Sequence, residues 1–289
     1  MPHSEVKNSS NLSDVVGKLD KCFGINYALE GDRVGLQIGQ GEWSVRKIMT
    51  TMEITASVIK EAIQNDIDLL VVFHPLIYTP LKSVTDNNLI DSFVLELIKN
   101  QIGVYVVHTA LDTHPNGNNQ YLGEQLGLSK ISFLDDSPSF IGVAGDIVRD
   151  LSSDQKRGMG IIGMYNGSYA KLLEDLSSCL GSVPRYSDYE LDKVIKKIAI
   201  VCGSGLSLAG IAAAQGADAF ITADVSYHQY RAFGQMVVID PGHWEMEQWS
   251  GEIMNKLIRI FFSSSDLVIF NSSVRTNFAK QYIHSIKKS

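Results

Sequence analysis

Apolar residues along the chain alternate between two spacings. Val15, Val16 and Leu19 form a helical stripe that Ser13 or Asp14 can cap, and the helix should run to about Cys22. Segments 34–38 and 47–52 alternate apolar with other residues between Gly35, Gly39 and Gly41, which predicts two strands. Over 55–65 the residues Val58, Ile59, Ala62 and Ile63 recur at helical spacing, and 68–73 is a nearly unbroken apolar strand that ends in His74-Pro75. The unit then recurs as a helix over 91–99, Gly103, and a strand over 104–107 that ends at His108.

Beyond Leu128 the pattern loosens through Asp135, Asp136 and Pro138, which sets a boundary near 129. A helix is predicted over 168–180 and a strand over 197–201. Alternation then resumes with a helix over 206–215, a strand over 219–222, a helix around 228–233, a strand over 236–239 and a helix over 245–261. The first dozen residues, rich in Ser and Asn, read as a loose leader, and no internal sequence repeat is visible. The expected class is α/β in two lobes, each a mixed or mostly parallel sheet flanked by helices. Residues 1–128 with 235–289 form the first lobe and residues 129–234 the second.

Composition narrows the function classes. The chain has 289 residues, 45% hydrophobic and 20% charged, so disorder is not expected. A net charge of −7 argues against a nucleic-acid partner, which needs a basic face. Cys22, Cys179 and Cys202 are too few and too scattered for a disulfide framework or a thiolate zinc site. No apolar run approaches the ~18 residues of a membrane span and no secretory signal is visible, so the expected location is the cytoplasm.

Five of the seven histidines, His74, His108, His114, His228 and His243, fall at or just past predicted strand ends, where open α/β sheets present ligand-binding loops. A single strand-end histidine is more often a packing residue; the argument lies in their convergence. Asp112 shares a loop with His108 and His114, and Asn118 or Asn119 is better placed than Asp112 to cap the helix that follows. His243 and Glu247 stand one turn apart on one helical face, a spacing that can clasp a divalent ion. Asp224 and His228 make a further carboxylate–imidazole pair for proton transfer. Gly203-Ser204-Gly205 lacks the residues of a phosphate loop or a dinucleotide fingerprint and reads as a tight turn. The candidate ligands are therefore His74, Asp112, His243 and Glu247. Zinc, iron, manganese and nickel all suit such donors.

Several segments together resemble the NGG-interacting-factor-like family, whose members are called GTP cyclohydrolase 1 type 2 homologues. They are Gly31-Asp-Arg-Val-Gly-Leu-Gln-Ile-Gly39, Phe73-His-Pro-Leu-Ile-Tyr78, His108-Thr-Ala-Leu-Asp112, Gly203-Ser-Gly205, Thr222-Ala-Asp-Val-Ser-Tyr-His228 and Asp240-Pro-Gly-His-Trp-Glu-Met-Glu247, in the family's order. The resemblance implies two α/β lobes, a homohexamer built from dimers, and a dinuclear metal site in the cleft between the lobes. By position it makes His74, Asp112, His243 and Glu247 metal ligands. One departure stands out: the family's first histidine of His-His-Pro is Phe73 here, so one or two ions per chain are expected, with His108 or His114 as replacement donors. The chain also lacks the long inserted domain of larger relatives.

The expected function is metal-dependent hydrolysis of a nucleotide-like small molecule, since a divalent ion with nitrogen and oxygen ligands brings the pKa of water down toward about 7. The alternative is a noncatalytic oligomeric scaffold, metal carrier or regulatory partner.

Overall fold

The computed structural model describes residues 10–136, 140 and 156–279; the expected leader lies almost wholly outside them. The chain is a mixed α/β protein built on two main sheets, each flanked by helices. The five-stranded sheet runs Val268–Asn271, Lys47–Thr51, Leu69–Val72, Gly103–Val106, Gly35–Ile38. Its first four strands are parallel, and Gly35–Ile38 closes the edge antiparallel. Leu69–Val72 is buried at every position because helices cover both faces. Leu12–Phe23 and Ser250–Phe261 pack on one face, and Ala56–Gln64 and Leu89–Lys99 on the other.

The six-stranded sheet runs Ser129–Asp135, Met159–Ser168, Val194–Ile200, Ala219–Ile221, Val237–Asp240, Arg185–Tyr186. Its central strands Val194–Ile200, Ala219–Ile221 and Val237–Asp240 are parallel, with antiparallel neighbours on both sides. Helix Tyr169–Leu180 covers one face and Ala209–Ala214 the other. This sheet begins at Ser129 and includes Val237–Asp240, so the chain returns to the first sheet only after Asp240. Trp249 packs against both the first-sheet core and the second-sheet core.

Local departures from the expected elements have local causes. Asn11, rather than Ser13 or Asp14, caps the first helix by accepting from Asp14 N at 2.7 Å. The stretch expected as one helix over 245–261 is two, His243–Glu247 and Ser250–Phe261, and that around His228 is the 3₁₀ turn Tyr227–Arg231. Gly117 takes the cap position before Asn118–Gln125, because Asn118 and Asn119 bond to Asp112 instead.

The two sheets also share a unit that the residues conceal. Asp68 accepts from Arg46 N and Lys47 N at 2.7 and 2.9 Å, and Asp218 accepts from Lys196 N and Lys197 N at 2.8 and 2.9 Å, with separations of 22 and 21 residues in both cases. Lys47 Nζ and Lys197 Nζ each donate to a carbonyl 18 residues on, that of Asn65 and that of Gln215. In both units the strand after the aspartate pairs in parallel with the strand that carries the lysine. A lysine and an aspartate are too small a remnant to register as a repeat in the sequence.

Candidate metal centre

His74 and His108 follow adjacent parallel strands of the first sheet, Leu69–Val72 and Gly103–Val106, while His243 and Glu247 follow Val237–Asp240 of the second. Side chains from the two sheets meet at these strand ends. His74, His243 and Glu247 each offer a donor atom, and all three atoms lie within 4.8 Å of one another. Glu247 Oε2 is 3.0 Å from His243 Nε2 and 3.3 Å from His74 Nε2. Both are carboxylate–imidazole contacts, and among the described residues the buried Oε2 has no hydrogen-bond partner of good geometry.

The other nitrogen of each ring explains why. His74 Nδ1 lies 3.1 Å from Glu53, His243 Nδ1 2.7 Å from Asp224, and His108 Nδ1 2.6 Å from Asp32. A carboxylate on Nδ1 draws the ring hydrogen there and turns the Nε2 lone pair inward, the arrangement seen around imidazoles that bind metals. Once their Nε2 protons are displaced, two lone pairs and a carboxylate oxygen converge on one point. Such a donor set fits a divalent cation.

Electrostatics agrees with the geometry. Burial alone would lower the pKa of His74, but the carboxylates of Glu247 and Glu53 raise it to about 10. Glu247 raises His243 to about 9 against the effect of burial, with help from Asp224. Burial works to raise Glu247, but the two imidazoles hold it near 2. In the metal-free chain both histidines therefore carry protons at neutral pH, and a cation must displace them. Calorimetric titration at pH 7 in buffers of different ionisation enthalpy should show protons released from both rings on metal uptake. Affinity should fall steadily as the pH drops, because His74 and His243 hold their protons more tightly than free imidazole with its pKa near 6.5. Uptake without proton release would place the ion elsewhere.

Asp112 lies beside the three donors rather than among them. It is buried, Asn118 Nδ2 donates to its Oδ1 at 3.1 Å, and burial together with the charge of Glu247 pushes its carboxyl well above the usual range. The Ser250 hydroxyl reaches Asn118 Oδ1 at 3.0 Å and the Glu247 carbonyl at 2.7 Å, which ties the Asp112 loop to the Glu247 helix. His108 is packed edge-on to His74, ring centres 5.6 Å apart, as His243 is on the other side. Its backbone, at φ 39°, ψ −124°, is outside the ordinary regions, a strain costing about 1–3 kcal/mol that clusters at functional sites. Asp32 sustains that conformation by also accepting from Thr109 N at 3.1 Å and from the Thr109 hydroxyl.

His114 is turned away, buried, with Nδ1 accepting from Asn116 N at 3.0 Å. Burial, helped by the charge of Arg157, lowers its pKa to about 3. Asp224 meets the centre through His243, whereas His228 is exposed on the 3₁₀ turn, its ring against Tyr227. Phe73 is fully buried, its ring centre 4.8 Å from that of His74. Sequence reasoning did not single out Glu53 or Asp32, although Asp32 stands in the Gly31-Asp-Arg segment and Glu53 just past a strand end. Gly203 has a role beyond its turn: at φ 68°, a Cβ there would sit 2.4 Å from Glu247 Oε1.

The frame and the donors together define an α/β protein with a candidate metal centre at its strand ends. The chain belongs to the Duf34/NIF3 (NGG1p interacting factor 3) family, whose profile matches residues 10–277. A relative from Clostridium perfringens, named GTP cyclohydrolase 1 type 2 homolog, is 32% identical over 241 residues, 82% of this chain and 86% of its own length. One of the same name from Streptococcus pneumoniae is 30% identical over 241 residues, covering 80% and 84%. A Bacillus cereus protein related to NIF3 superposes with a TM-score of 0.83 over 96% of this chain and 100% of its own, at 20% identity, which shows the fold. Among the described residues no helix is long and apolar enough to cross a membrane.

Proposed function

We propose that this chain binds a divalent metal ion through His74, His243 and Glu247, with Asp112 alongside, and is a metal-dependent hydrolase of a nucleotide-like small molecule. The observation that carries the reading is Glu247 Oε2, a buried carboxylate oxygen that has no hydrogen-bond partner among the described residues and is faced by two imidazole nitrogens. Zinc, iron, manganese or nickel would suit the set, and one or two ions would bind per chain. Each main sheet with its helices makes one lobe, the donors occupy the cleft between lobes, and six copies assemble as a ring in the cytoplasm. The family resemblance supports the lobes, the cleft and the ring.

The protein's own groups divide the work. Glu53 and Asp224 hold the Nδ1 hydrogens of His74 and His243, which fixes both rings. Asp224 is exposed, so it can exchange a proton at His243 Nδ1 with solvent, a position His228 does not share. A bound ion would supply acidified water and polarise an electrophilic carbon or phosphorus. The names of the relatives point to a guanine nucleotide as the first substrate to try.

Phe73 favours a second reading, a noncatalytic scaffold, metal carrier or regulatory partner, because a buried phenyl stands where the family resemblance expects a histidine. Elemental analysis of chelator-free protein addresses both. Native chain should hold about one equivalent, Phe73→His should approach about two, and Asp112→Ala should hold less. An exchangeable water on the ion, measured by relaxation in manganese-loaded protein, marks the catalytic reading, and a closed site the other. Native protein that takes up no zinc, iron or manganese would sink the metal centre altogether.

A further inference from the structure

A cavity of about 280 Å³ opens beside the metal donors, at the carboxyl ends of the parallel neighbours Lys47–Thr51 and Val268–Asn271. Open α/β sheets collect their ligands at that end. Trp244, next in sequence to His243, and Met52, next to Glu53, line it. Arg275 lines the same cavity with its guanidinium carbon 4.3 Å from the centre of the Trp244 ring. Arg275 is itself exposed, and its guanidinium has no carboxylate partner among the described residues, which leaves its N–H groups for paired bonds to an oxyanion. Trp244 Nε1 is a buried donor with no partner among the described residues, and a buried indole N–H ordinarily finds one. Glu252 and Asn271 add acceptors to the lining.

We propose that this cavity binds an oxyanion, phosphate or carboxylate, carried by a small molecule whose other end reaches the metal centre. Arg275 grips the oxyanion edge-on and Glu252 accepts a neighbouring hydroxyl or N–H of the same molecule. Only the reach to the metal rests on the function proposed above; binding of the anion does not.

Isothermal titration of the metal-stripped full chain, dialysed free of chelator, with inorganic phosphate and separately with acetate tests the cavity. Saturable binding of at least one anion is expected, and the tighter of the two names the source. Arg275→Gln should weaken it by about tenfold or more, the range for a charged hydrogen-bonding partner, and Arg275→Lys by less. Trp244→Phe, which keeps the ring face but loses the N–H, should weaken it about fivefold. Native protein that binds neither anion, or an Arg275→Gln chain that titrates like the native, overturns the proposal. Metal content measured before stripping separates the two readings: a full metal count there, with no anion binding after stripping, sinks the cavity alone.

Discussion

Replacing Glu247 with glutamine should lower divalent-metal affinity by more than about 100-fold, beyond the 10–100-fold typical of losing an outer hydrogen-bond partner. The substitution keeps shape and volume but removes the charge that both Nε2 atoms face at 3.0 and 3.3 Å. It should also let the pKa values of His74 and His243 fall from about 10 and about 9, since Glu247 contributes to raising both. Competition titration with a chromophoric chelator reads the first effect, and proton NMR of the imidazoles the second. Retained affinity with unchanged imidazoles would mean that Glu247 is not a ligand.

A single methyl group at Gly203 should do nearly as much damage from outside the donor set. The Cβ of Gly203→Ala would stand 2.4 Å from Glu247 Oε1 and 3.3 Å from His243 Nε2, on a backbone at φ 68° that costs a side chain about 1–2 kcal/mol. Glu247 is buried, so its carboxylate relieves the clash by rotating away from the turn and out of its present approach to the imidazoles. Metal affinity should drop by about 10–100-fold, and the chemical denaturation midpoint should fall with it. The neighbouring Ser204→Ala supplies the control. If Gly203→Ala binds metal like the native chain, the observed approach of Glu247 to this turn is not part of the binding geometry.

The frame was largely legible because buried parallel strands leave unmistakable apolar runs. Leu69–Val72 and Gly103–Val106 were placed within a residue or two from composition alone. Ser129–Asp135 and Met159–Ser168 were not, for a physical reason: the first is mostly half-exposed, and the second carries Gly160, Gly163 and Gly167, which blur any period. The imidazoles of the centre were legible as strand-end residues. Their carboxylate partners were not, because Asp32 reaches His108 across 76 residues and Glu53 reaches His74 across 21, and no local pattern records such pairings. His228 shows the converse case. A carboxylate and an imidazole one turn apart look paired on paper, but Tyr227–Arg231 is a 3₁₀ turn, and Asp224 faces His243 instead.

The matched units around Asp68 and Asp218 give the molecule an approximate internal symmetry, and the centre depends on breaking it. Glu53 follows Lys47 at the interval at which Gly203 follows Lys197, and His74 follows Asp68 as Asp224 follows Asp218. Faithful copies would set glutamate against glutamate and imidazole against imidazole, crowding one wall with like charge. Instead one half supplies a glutamate and an imidazole where the other supplies a glycine and an aspartate, so a duplicated frame carries unlike groups at matching positions.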